Sequence, residues 1–356
     1  RYGLDSRKYE MGWDYEEWVR LAAPAYHALC ALLGDVKSPA DRAMVIGHEF
    51  MGMATALRCS LDPARFVTAF HAHECSTARR IVEGLPGNDV AFYPAMRLAA
   101  EQGKFVSDVF GDQTSWPRQA LIGQSYRLNT VLAVGQETAE ELRFLSPAMK
   151  AGPVRTCYNA VPSAKVDWAT KKKSRAMMDE FLMATTGRKY DYVITHVTRP
   201  VPSKGLWRDW MLLDAIEPML KAAGKTAAYI LLTCGEPVVH GGATCVVSTV
   251  SGCMGLVNRV ISQRGQDGSR LILPADFTHE HHDAQVTPAE LITMTSAHRE
   301  EVEREVCATL AAELFKRLPT SDTDRQTLLA EGQVLANAMS WDAIAQSDFL
   351  PGISVA

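Results

Sequence analysis

Residues 192–232 read YVITHVTRPVPSKGLWRDWMLLDAIEPMLKAAGKTAAYILL. A β-branched apolar run at 192–197 leads into a proline-rich loop. An amphipathic stretch at 206–222 and a second apolar run at 227–232 follow. Strand, helix and strand in that order make a unit of an α/β fold with parallel strands. The same alternation extends in both directions. Upstream, apolar runs at 43–47, 66–70, 130–134 and 154–158 read as strands. Helical patterns lie at 16–33, 76–83, 95–110 and 137–145, and Pro24 is expected to kink or break the first of them. Downstream, strands are expected at 244–248 and 270–273, and helices near 288–317, 323–338 and 341–349. A polar stretch at 168–175, holding Lys171, Lys172 and Lys173, marks a change of character and reads as a solvated helix face. The expectation is two α/β domains of similar size with a cleft between them.

The bulk numbers agree with that layout. A chain of 356 residues, 47% hydrophobic, holds enough apolar material for two cores. Its formal net charge of -4 offers no electrostatic footprint for nucleic acid or for an anionic membrane. The 8 cysteines form no CxxC pair, which points to reduced thiols and a cytoplasmic setting. No secretory signal is expected at the start of the sequence. The longest uncharged stretch, 238–257, is rich in glycine, serine and threonine, so it reads as strand and loop rather than as a membrane span.

Five segments could carry chemistry. In 195–205, Arg199 and Lys204 stand five residues apart in the loop after a strand, where α/β folds bind ligands. Two fixed cations suit a diphosphate whose charge grows as its bond breaks; an ordinary basic loop is the plainer reading. In 70–80, an apolar strand runs into His71, His73 and Glu74, then into a helix with Arg79 and Arg80. A strand-end histidine can serve a reacting centre or simply be a satisfied core group. In 47–53, His48 and Glu49 end another strand, and Glu49 either caps the next helix or meets substrate. Glu236 heads a segment with Gly241, Gly242 and the glycine loop at 251–255, suited to ribose and phosphate. Last, 278–283 reads Thr-His-Glu-His-His-Asp. It is not HExxH, and three of its side chains cannot converge from one element, so a solvated loop is preferred over a metal site.

Taken in order, these segments resemble the two-domain GT-B retaining glycosyltransferases, glycogen and starch synthases above all. His48-Glu49-Phe50 resembles that family's His-Glu/Asp-aromatic motif. Residues 67–74 resemble the strand carrying its active-site histidine, placed on His71 with His73 second. Residues 128–142 and Tyr158-Asn159-Ala160-Val161 are similar to its Thr-Ala-Glu-Glu helix and its Asn-Gly-Val turn. Arg199 and Lys204 match its donor-phosphate pair, and 247–255, with Gly252, its Ser-Gly loop. Ser340-Trp341 and the helix after them resemble its terminal crossover helix. Two features depart: only Glu236 of a Glu-x7-Glu element is in place, and the N-terminal glycine-rich loop that meets the donor in that family, expected ahead of Arg1, is missing from the sequence.

The resemblance implies a GT-B fold with an N-terminal domain over 1–185, a nucleotide-sugar domain over 186–338 and a returning helix over 339–356. It implies transfer of glucose, with retention, from UDP- or ADP-glucose to an α-glucan. His71, Arg199 and Lys204 would be catalytic. Arg199, Lys204, Glu236, Gly252 and Arg79 would bind the donor, and His48 and Glu49 would face the acceptor. No cofactor and no metal is implied. The partners are the nucleotide-sugar donor and a carbohydrate acceptor, with no nucleic acid and no transmembrane segment; a homo-oligomer is left open. Three alternatives stand beside it: another acceptor (lipid, small sugar or protein), a decayed sugar-nucleotide or carbohydrate binder, and a zinc hydrolase built on 279–283.

Overall fold

The computed structural model describes residues 2, 4–198, 202–232 and 286–354. These residues group into two compact units. The first holds the described residues up to Asn159, those from Val286 to Met294 and those from Ile344 on; the second holds those from Ala160 to Leu232 and from Thr295 to Ala343.

The first unit is built on four parallel strands in the order β1 (Ala43–His48), β2 (Phe66–Ala72), β3 (Thr130–Ala133) and β4 (Val154–Thr156). β3 is buried along its whole length, and Phe66 and Phe70 of β2 are fully buried, as expected for strands covered on both faces. Each of the first three strands is followed by a helix: Glu49–Cys59 after β1 and Gln136–Phe144 after β3 pack on the sheet, whereas Ser76–Gly84 after β2 packs on the helices Asn88–Glu101 and Pro117–Ile122. Met53, Leu57, Leu132, Leu142 and Met149 make up much of the core between them.

In the second unit, β5 (Tyr192–Val197) pairs in parallel with β6 (Ala227–Leu232), and the helix Leu206–Ala222 joins them. Gly205, at φ 62°, supplies the left-handed residue that turns the chain into that helix. Ile216, Leu220, Ala228, Val306, Leu310 and Leu314 are buried in this unit. The Lys171–Lys173 run lies on the helix Trp168–Thr186, which Asp167 caps by accepting from the Thr170 backbone N–H at 2.7 Å. Lys172 and Lys173 are exposed as expected, whereas Lys171 is half-buried and its ammonium pKa is lowered to about 8 by burial.

Several expectations need correction. Of the kink or break expected at Pro24, the break does not occur: the first helix runs from Trp13 to Leu33 with Pro24 inside it. The helix expected at 95–110 is two, Asn88–Glu101 and Val106–Phe110, separated by a turn in which Gly103 takes φ 70°. The last helical stretch changes type, with Trp341–Ile344, a π turn at Ala345–Phe349 and Leu350–Ile353. The strands expected at 244–248 and 270–273 lie outside the described residues. Among the described residues no helix is long and apolar enough to cross a membrane.

Candidate active site

The site is built where β1 and β2 end. These strands are in parallel register, so His48 and His71, distant in sequence, are direct neighbours at the carboxyl edge of the sheet. β1 passes straight into its helix through a turn pinched between two glycines. A Cβ on Gly52 would stand 2.6 Å from the Gly47 Cα, so neither position has room for a side chain. This pinch throws Glu49 into the left-handed region, at φ 54°. Strain of that kind in a non-glycine residue persists only where surrounding contacts hold it.

The Glu49 side chain provides the hold. Its Oε1 accepts the backbone N–H of Glu74 at 2.9 Å and that of His73. Glu49 therefore does not cap its own helix, the plainer of the two roles its sequence position allows; it caps the exit of β2. Burial pushes its carboxyl pKa up to about 7, against the two N–H donors, which favour the charged form.

Three imidazoles meet beside it. His71 is 7% exposed, and neither of its ring nitrogens has a hydrogen-bond partner of normal geometry among the described residues. Burial lowers its pKa to about 4, helped by the charges of His73 and His48, while the facing Cys157 main chain works weakly the other way. The His73 ring lies 4.5 Å from that of His71 and stacks on that of His48, with centroids 5.3 Å apart. His73 Nε2 and His48 Nδ1 are 3.0 Å apart. On its other side, His73 Nδ1 lies 3.3 Å from the Asn159 amide, delivered by the irregular segment that follows β4. Burial and the charge of His48 lower the pKa of His73 also, so His71 and His73 are neutral at pH 7.

Arg79 lies further back. Its Nε is 3.4 Å from Glu74 Oε2, and its charge acts on the buried Glu141, to which the Tyr93 hydroxyl donates at 2.7 Å. Burial raises the Glu141 carboxyl pKa to about 7 in spite of both neighbours. In the second unit, Lys204 is exposed at the end of a short turn, Pro202–Lys204, in the loop after β5. The strands β5 and β6 and the helix between them hold a cluster that sequence reasoning does not single out. His196 Nδ1 lies 2.7 Å from Asp209 Oδ2, and the Tyr229 hydroxyl donates to the same oxygen at 2.5 Å. Arg199, Glu236, Gly252 and the 278–283 segment lie outside the described residues.

The structure thus brings His48, Glu49 and His71 together and adds His73 and Asn159. His71 lies at the end of β2 and His73 just beyond it, so the run of an apolar strand into two histidines made both legible as neighbours. Their meeting with His48 needed the register.

No protein-family model matches the sequence, and a search of curated proteins finds no match. The fold is similar to solved structures of α,α-trehalose-phosphate synthase (UDP-forming). One, from Burkholderia xenovorans in complex with glucose-6-phosphate, is 10% identical, with 95% of this chain and 77% of that chain covered and a TM-score of 0.48. Another, from Burkholderia vietnamiensis, is 12% identical, with 99% and 79% covered and a TM-score of 0.48. An E. coli structure described as trehalose-6-phosphate bound with UDP-2-fluoro glucose is 13% identical, with 95% and 76% covered and a TM-score of 0.42. A likeness of this size carries no inference about activity.

Proposed function

We propose that the chain is a retaining GT-B glycosyltransferase that moves glucose from a nucleotide diphosphate sugar to an α-glucan. One observation carries the reading. His48-Glu49 and His71, which the sequence resemblance assigns to one site, end adjacent parallel strands in register. His71, buried and neutral, suits a place beside the anomeric carbon, where its ring and backbone carbonyl can support a cationic transition state. His48 and Glu49 are assigned to the acceptor side. Arg199 and Lys204 are assigned to the departing diphosphate, whose oxygen takes the acceptor's proton. Glu236, Gly252 and Arg79 are assigned to the donor. The reaction is proposed to need no metal, because the two cations supply the charge.

The test is nucleotide release and transfer with UDP-glucose and ADP-glucose, each offered with glycogen and with glucose 6-phosphate. Arg199→Ala/Lys204→Ala is expected to lower turnover by at least about 100-fold, the scale on which such charge-stabilising groups act. His71→Ala is expected to lose turnover while keeping donor affinity. Transfer to glucose 6-phosphate alone would move the acceptor to a small sugar. Donor binding without any transfer would indicate a decayed site.

A further inference from the structure

We propose that His48, His71 and His73 form a three-nitrogen site for a borderline divalent transition ion such as Zn²⁺ or Co²⁺. One ring nitrogen from each residue lies within 4.8 Å of the other two. Two nitrogens bound to one tetrahedral zinc stand about 3.3 Å apart. His48 Nδ1 and His73 Nε2 already stand at 3.0 Å, so an ion bridging them needs little change in their separation; it displaces the proton between them, and the rings turn so that both lone pairs converge on it.

Two further observations point to a ligand rather than to a chance histidine cluster. The first is His71, 7% exposed, whose ring has only the weak contact of the Cys157 main chain and no hydrogen bond of normal geometry at either nitrogen among the described residues. Leaving buried polar atoms so placed is costly, and metal ligation answers it. The second is Asn159. An imidazole that binds a metal through one nitrogen donates its other N–H to a fixed acceptor, which sets the tautomer. Asn159 stands at His73 Nδ1, 3.3 Å away, and an amide's oxygen and nitrogen can exchange places by a flip. With Oδ1 turned to the ring, His73 is held as the Nδ1–H tautomer and presents Nε2 to the ion.

Three imidazoles leave a tetrahedral ion an open position. His48 and His73 are exposed, which gives the ion a path in from solvent. Imidazole ligands favour zinc, cobalt, nickel and copper over magnesium and calcium. The transferase reading requires no ion, so where that reading holds an ion here occupies His71 and inhibits. The binding proposal itself stands without it.

Co²⁺ titration of chelator-treated full-length protein provides the test, read by the visible ligand-field bands of the tetrahedral ion. The expected result is saturation at one equivalent, with displacement by Zn²⁺. His48→Ala and His73→Ala, both at exposed positions, should each weaken binding by at least about 100-fold, beyond what loss of an outer-shell partner costs. His279→Ala/His281→Ala/His282→Ala should leave the bands intact. No bands, bands that survive His48→Ala and His73→Ala, or bands lost with the triple variant would overturn the proposal. Because no donor sugar enters the experiment, its outcome is independent of the transferase assay.

Discussion

Glu303→Ala is expected to destabilise the second unit by about 3–5 kcal/mol, the range for removing one partner of a buried ion pair. Glu303 is fully buried on the helix Pro288–Arg317. Arg208 donates to its Oε1 through Nε at 2.9 Å and Nη2 at 2.6 Å. The Trp207 indole N–H donates to Oε2 at 2.9 Å, and Arg299 Nε lies 3.3 Å from the same oxygen. Both guanidinium groups also lie against the Trp207 ring, at 5.3 and 5.1 Å from its centroid. Truncating the carboxylate leaves guanidinium charge in a site with little water, where desolvation is no longer offset. Glu303→Gln, which keeps an acceptor oxygen, should cost less than Glu303→Ala. The measurement is urea unfolding together with hydrogen exchange in 206–222, which should rise in step. A Glu303→Ala protein within about 0.5 kcal/mol of wild type would mean that the network contributes little.

Gly52→Ala is expected to cost about 3 kcal/mol or more and to disturb the histidine cluster with it, since overpacking a tight contact destabilises by about 1–3 kcal/mol and more where main chain must move. Alanine in place of glycine inside a helix ordinarily stabilises by about 0.5–1 kcal/mol. Here the added Cβ would stand 2.6 Å from Gly47 Cα and 2.8 Å from Gly47 C, both main-chain atoms. Either β1 or its helix must therefore move. The moved segment carries His48 and Glu49, so the Co²⁺ bands should weaken along with stability. A Gly52→Ala protein as stable as wild type, with unchanged Co²⁺ binding, would contradict the pinch as the device that sets the site.

Much of the fold was legible because local pattern and tertiary role coincide. The apolar runs at 192–197 and 227–232 and the stretch between them match β5, β6 and the helix Leu206–Ala222 end for end. Pro24 overstated the case for a break, because a proline removes one hydrogen bond from one turn while the turns on either side of it keep theirs, and the helix continues through it to Leu33. Glu49 was less legible: its conformation is set by Gly47 and Gly52, and its carboxylate is taken by a turn more than twenty residues away. The three imidazoles meet through strand register and through Asn159, neither of which sequence spacing records. Glu303 looked like any acidic residue of a long polar helix. Nothing in the spacing told that its position faces Trp207 and Arg208.

The most direct test of the transferase reading is the anomeric outcome of sugar transfer, read by proton NMR. UDP-glucose and ADP-glucose are each incubated with the full chain and an α-glucan. The expected result is nucleoside diphosphate release from one donor and a growing α-linked anomeric signal on the glucan. A β-linked product would contradict retention. Release from neither donor would contradict the glycosyltransferase reading itself.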